Sequence, residues 1–168
     1  MKKIAHRGNI YEKNLDRENS PSYIEEALDA GYDCEIDVWW HDGEWWLGHD
    51  HPTHEIDSAF LYRLGSGLWI HAKNYDALSE LNFTTTEWVN PLNYFWHEND
   101  QYTLTSKNFI WTAQSTPFLN FRQTTASAST VHHNVLVQML VDARYGVYQD
   151  AVAVCADNVG HFEELYGL

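Results

Sequence analysis

The chain has 168 residues, 44% of them hydrophobic, and a formal net charge of −14. Its length suits a single domain over residues 1–168 with a core of useful size, and its hydrophobic content argues against a disordered chain. The charge excludes a general nucleic-acid or anionic-membrane surface, so an anionic ligand needs a local reversal of charge, from a metal or a few placed cations.

No apolar run approaches a membrane span, and the polar residues that follow Met1–His6 do not fit a signal peptide. Cys34 and Cys155 each fall inside an apolar strand pattern, which reads as free buried thiols in a reducing cytoplasm.

Lys2 to His6 reads as a first strand, and Gly8 lets the chain turn sharply after Arg7. A polar loop follows over residues 9–19. Ser20-Pro21 then starts a helix, with Ser20 at the N-cap, an apolar stripe of Tyr23, Ile24, Ala27 and Leu28, and Gly31 at the end. The second strand runs from Tyr32 to Trp40, turns at Asp42-Gly43 and returns through Trp45 to His49. Alternation puts Glu35, Asp37 and Trp39 on one face and Cys34, Ile36 and Val38 on the other.

Two carboxylates so spaced can hold a hard cation, and a histidine just beyond a tight hairpin can act as acid or base beside it. Taken alone, the stretch fits a solvent-facing acidic edge equally well.

Ile56 to Leu64 reads as a short helix after a loop begun by His51-Pro52. Leu68 to Lys73 is a third strand with Trp69, His71 and Lys73 on one face, and Tyr75 to Leu81 a helix. Asn93 to His97 is a fourth strand, with a polar loop from Glu98 to Lys107. Further strands are expected at Phe109–Ala113, Val131–Leu140 and Val152–Asp157, with loop over Gln114–Thr130 and a last helix at Phe162–Tyr166. His97 and Asp157 lie near strand ends and could line the pocket, but a structural role is the first reading of each.

About seven or eight strands, the early ones followed by helices, fit a reduced (β/α)8-type TIM barrel with several helices shortened or missing, since a full one takes about 250 residues. An open doubly wound sheet competes less well, because no Gly-rich phosphate loop follows the first strand.

The ordered set His6-Arg7-Gly8, Glu18-Asn19-Ser20, Glu35-Ile36-Asp37-Val38, Asp42-Gly43 and His49-Asp50 resembles the signature of the glycerophosphodiester phosphodiesterases. More broadly, it is similar to the barrel superfamily that they share with the spider-venom type phospholipase D. The resemblance covers roughly residues 3–73. It implies that His6 and His49 are acid and base, that Arg7 and Lys73 face the phosphate, that Glu35 and Asp37 bind metal and that Glu18 supports the site.

The family's third acidic ligand is replaced here by His71, in His71-Ala72-Lys73. Magnesium or calcium is therefore expected to bind weakly, or manganese or zinc to be preferred. Trp39 is a candidate wall for substrate.

The implied activity is metal-dependent hydrolysis of a small glycerol- or polyol-phosphate diester, or of a phosphodiester-linked glycan, without nucleic-acid or membrane-spanning partners. A silent barrel that binds a phosphorylated ligand and a cyclising phospholipase-D-like lyase are the alternatives.

Overall fold

The computed structural model describes residues 2–83, 92–100, 102–112, 135–139 and 153–161. Strand β1 (Lys2–His6) leads through a loop to helix α1 (Pro21–Asp29) and strand β2 (Asp33–His41). The chain turns through Asp42 (φ 53°) and Gly43 (φ 85°) into β3 (Glu44–Leu47). Left-handed backbone at both positions is the tight-hairpin turn that Asp-Gly favours.

Next come β4 (His54–Ile56), α2 (Ser58–Leu64), a single 3-10 turn (Gly65–Gly67), β5 (Leu68–Ala72) and α3 (Tyr75–Phe83). Then follow β6 (Asn93–Phe95), β7 (Tyr102–Leu104), β8 (Phe109–Thr112), β9 (Val135–Met139) and β10 (Ala153–Ala156), with a 3-10 turn over Val159–His161.

The parallel part of the sheet runs β10-β1-β2-β5-β6. Strand β2 outruns β1, and its free half pairs with β3 in the hairpin, to which β4 adds antiparallel. On the far side β10, β9, β8 and β7 are each antiparallel to the next.

Alternation along the strands gives two cores. Buried Ala5, Cys34, Ile36, Val38, Ile70 and Ala72 meet Ile24 and Ala27 of α1, Phe60 and Leu61 of α2, and Ala77 and Leu81 of α3. Each large aliphatic group there contributes about 1.5–3 kcal/mol by leaving water. The opposite face carries a second cluster of Ile4, Trp69, Phe95, Trp111, Ala153 and Cys155. Both cysteines are free and buried, and burial pushes both thiols well above their usual range.

This is a mixed α/β domain and not the expected (β/α)8-type TIM barrel. Among the described residues there are only three α-helices, and all three pack on the same sheet face, which also rules out a doubly wound sheet. A parallel return needs a crossover of a dozen or more residues, usually helical. Only Thr105 to Asn108 joins β7 to β8, so those strands pair as a hairpin, with Asn108 at φ 64°.

Among the described residues the sheet does not close. Ser106 N–H donates to the Tyr94 carbonyl at 2.8 Å, yet no ladder joins β6 to β7 among the described residues.

The expected loop over Glu98–Lys107 contains β7, and the expected helix start at Ile56 belongs to β4. Ser20 holds the N-cap position through its carbonyl, which accepts from Tyr23 and Ile24, but its side chain makes no cap bond. Asp57 caps α2 instead, accepting from Phe60 N–H at 2.8 Å. Expectations for residues 114–130 and 162–166 lie outside the described residues. Among the described residues, no helix is long and apolar enough to cross a membrane.

Candidate metal and phosphate site

The inner sheet face changes character along the strands. Ile4, Trp69, Phe95 and Cys155 form an apolar floor, and two residues further along the chain from each come His6 and His71 on their strands and His97 and Asp157 just past theirs. Register fixes the neighbours, with His6 opposite Glu35 and Asp37 opposite His71.

At the end of β1 the backbone turns left-handed at Arg7 (φ 55°) and Gly8 (φ 93°). A Cβ at Gly8 would lie 2.7 Å from the Tyr23 ring, so only glycine fits. Arg7 N–H still reaches the Glu35 carbonyl at 2.9 Å, which swings the guanidinium over β2. Its Nε lies 2.9 Å from Asp37 Oδ2, and its Nη1 donates to Glu18 Oε2 at 3.1 Å.

Asn19, also left-handed at φ 60°, grips Asp37 twice. Its amide Nδ2 donates to Asp37 Oδ2 at 2.9 Å, and its Oδ1 accepts from Asp37 N–H at 3.0 Å. On the other side Lys73 Nζ lies 3.4 Å from Asp37 Oδ1, and His71 Nδ1 3.1 Å from the same oxygen.

Burial alone would raise the Asp37 carboxyl. The His71 hydrogen bond and the charges of Arg7 and Lys73 outweigh it and hold the group far below the usual carboxylate range. Glu35 goes the other way, raised by burial and then by Asp37, with His6 and Arg7 opposing. Its Oε2 is buried with no hydrogen-bond partner among the described residues and lies 3.8 Å from His6 Nε2.

His6 Nδ1 is 2.6 Å from Asp157 Oδ1. Asn9 Nδ2 donates to the same Asp157 oxygen at 3.1 Å and to Glu18 Oε1 at 2.9 Å.

His49 arrives from the hairpin side. Gly48, at φ 147°, donates its N–H to the Asp37 carbonyl at 3.1 Å and accepts from Trp39 Nε1 at 2.6 Å. Burial, followed by the charge of Arg7, lowers the His49 imidazole below its ordinary value. His6, Arg7, Glu35, His49, His71 and Lys73 all line one cavity of about 380 Å³, whose other wall includes Phe95, Trp96, His97 and Trp111.

Glu35, Asp37 and His71 offer donor atoms that all lie within 4.8 Å of one another. Two ligands of one ion cannot be further apart than twice a metal–ligand distance of about 2.0–2.6 Å. The three residues therefore could hold a metal ion, and the partnerless oxygen of Glu35 fits that role.

His71 enters this set with both ring nitrogens facing acceptors, since Nε2 lies 3.2 Å from the His97 carbonyl. Its ring stacks on His97 (centroids 4.6 Å apart, 3° between planes) and on Phe95 (5.1 Å, 7°).

No protein-family model, curated protein or solved structure matches the chain.

The expected residues His6, Arg7, Glu35, His49, His71 and Lys73 thus meet at one cavity, with Glu18 behind Arg7 and Asp37 behind Lys73. Trp39 does not line it. Where β2 outruns β1 it pairs with β3, and the Trp39 indole donates to the Gly48 carbonyl, so the aromatic wall comes from Phe95, Trp96 and Trp111. Sequence reading missed Asn9 and Asn19 as supports and set aside Asp157. The signal available was a lone acid just past an apolar strand at its C-terminal end.

Proposed function

We propose that this chain is a metal-dependent phosphodiesterase of the glycerophosphodiester phosphodiesterase type, acting on a small glycerol- or polyol-phosphate diester or a phosphodiester-linked glycan. One observation carries the reading: two histidines, two cations and a candidate metal triad converge on one small cavity in a chain of net charge −14.

A cation on Glu35, Asp37 and His71 would act as a Lewis acid on the phosphate oxygens. Magnesium or calcium is the default for the two carboxylates, and the imidazole shifts preference toward manganese or zinc. Arg7 and Lys73 offset the charge that builds on the nonbridging oxygens during attack at phosphorus. His6 and His49 divide the proton work, one taking a proton from the attacking hydroxyl and the other giving one to the leaving oxygen. Burial, and then the charge of Arg7, disfavour the charged form of His49.

The test is a panel of phosphodiesters assayed with divalent metal and with chelator. Turnover should stop with chelator and fall by about a hundredfold or more in His6→Ala and His49→Ala. Full activity in both variants refutes the reading.

A second reading, ligand binding without turnover, draws support from the engagement of Arg7 and Lys73 with Asp37 in this structure. Saturable phosphate binding with no diester cleaved across the panel would favour it.

A further inference from the structure

His6 and Asp157 are 151 positions apart in sequence and both buried, yet their side chains form one of the shortest polar contacts around the cavity, 2.6 Å between Nδ1 and Oδ1. Parallel pairing of β1 with β10 brings them together, because Ala5 lies opposite Ala156, and His6 at the end of β1 and Asp157 just past β10 are the next residues along.

An ionised carboxylate only accepts, so the proton in this contact belongs to the ring nitrogen. The hydrogen bond from His6 indeed holds Asp157 below its usual range, against the opposing effect of burial. With Nδ1 carrying the hydrogen, the neutral ring keeps its lone pair on Nε2, on the side of Glu35 and the cavity.

Asp157 is itself anchored. Asn9 donates to the same oxygen, Asn9 also bonds Glu18, and Glu18 holds Arg7. The Gly160 N–H donates to the Ile10 carbonyl at 2.7 Å, tying the loop that carries Asn9 to the segment that carries Asp157.

We infer that Asp157 is a positioning residue that fixes the tautomer and ring plane of His6, so that Nε2 is the atom exchanging a proton with the ligand in the cavity. This rests on the phosphodiesterase reading for its consequence in turnover, but not for the tautomer itself. When Nε2 takes a proton, the donor's O–H bond breaks, its oxygen keeps the electron pair, and the imidazolium charge is met by Asp157. When Nε2 gives the proton up, the ring returns to the Nδ1–H form. An amide at position 157 can turn its NH2 toward Nδ1, which forces the hydrogen onto Nε2 and removes the lone pair from the cavity side.

The experiment is long-range ¹H–¹⁵N NMR of the full chain labelled on its histidine rings, with His6 assigned by its loss in His6→Gln. Steady-state kinetics of Asp157→Asn and Asp157→Glu accompany it. Wild type should show the Nδ1–H tautomer at His6. Asp157→Asn should move it to Nε2–H and lower kcat by about a hundredfold or more, with KM changed by less than about threefold. Asp157→Glu, which keeps a carboxylate, should recover part of kcat.

A wild-type His6 in the Nε2–H form overturns the inference, and this spectrum decides even where Asp157→Asn fails to fold. An Asp157→Asn protein that keeps both tautomer and kcat also overturns it. If wild type cleaves no diester, the phosphodiesterase reading falls, and the spectrum still decides the His6–Asp157 pair.

Discussion

Replacing Asn19 by Ala should cost more stability than its place in a polar loop suggests. The side chain is 1% exposed, accepts from the Asp37 N–H and donates to an Asp37 carboxylate that is itself fully buried. Orphaning the buried N–H costs about 1–3 kcal/mol, and losing a hydrogen bond to a charged group about 1.5–3 kcal/mol. Alanine at φ 60° adds about 1 kcal/mol of backbone strain that asparagine tolerates better. The terms overlap, and a water entering the vacated space sets the lower end, so the expected loss is about 3–5 kcal/mol. That is a large share of a typical total of about 5–15 kcal/mol.

Urea denaturation of the metal-free protein measures it. At a slope near 2 kcal/mol/M the midpoint should fall by about 1.5–2.5 M. Asn19→Gly removes only the backbone strain and should recover about 1 kcal/mol of the loss. A loss below about 1 kcal/mol in Asn19→Ala would refute the argument that Asn19 is what holds Asp37 in place.

Gly48→Ala should lose His49-dependent turnover together with stability, because a Cβ there would lie 2.2 Å from the His51 carbonyl oxygen at a φ of 147°; thermal melting and kcat should drop together, and a wild-type melting curve would contradict the clash. Trp96, 41% exposed and on the cavity wall, should act on the alcohol part of the substrate, so Trp96→Ala raises KM for a sugar or polyol diester by about tenfold while Trp96→Phe restores most of it, and an unchanged KM removes Trp96 from the ligand's path.

His97 gives a pH dependence: burial, with the charges of His71 and Lys73, lowers it from 6.5 to about 4. Between those values the unfolded chain binds a proton that the folded protein does not, so stability falls as pH drops from 6.5 toward about 4. His97→Gln should flatten that part of a urea-midpoint-against-pH curve, and an equal slope in the variant would show that other groups set it.

The site was more legible in the sequence than the fold was. Strand alternation and one hairpin suffice to put Glu35 and Asp37 on a common face and His49 beside them, because both are local rules acting over fewer than twenty residues. Strand direction is not local. The apolar pattern of Phe109–Thr112 reads the same whichever way the strand runs, and the short Thr105–Asn108 turn from β7 decides its direction.

Trp39 shows the same limit within one strand. Period-two alternation gives it the face of Asp37, but β2 continues past β1 into the hairpin, where Trp39 pairs with Trp46 and bonds Gly48. Asp157 offered its place past an apolar strand as a signal, but its role depends on a partner at the opposite end of the chain.

The two carboxylates at the centre are neighbours on one strand face and are driven in opposite directions, and that division organises the site. Asp37 collects Arg7, Asn19, His71 and Lys73, stays ionised, and serves as the counter-ion that lets two cations stand in a buried pocket. Glu35, deprived of such partners, is raised toward its neutral form and keeps an oxygen unbonded among the described residues. Pairs whose environments push them apart are suited to different tasks.

A divalent cation would complete this arrangement rather than disturb it. It would favour the ionised form of Glu35, and it would compete at Asp37 Oδ1 with Lys73, whose 3.4 Å contact is the longest of the four. Lys73 displaced from Asp37 would remain on the cavity wall, free to meet a phosphate. On the proposed reading, metal entry and the arming of Lys73 would then be a single exchange of charge at Asp37.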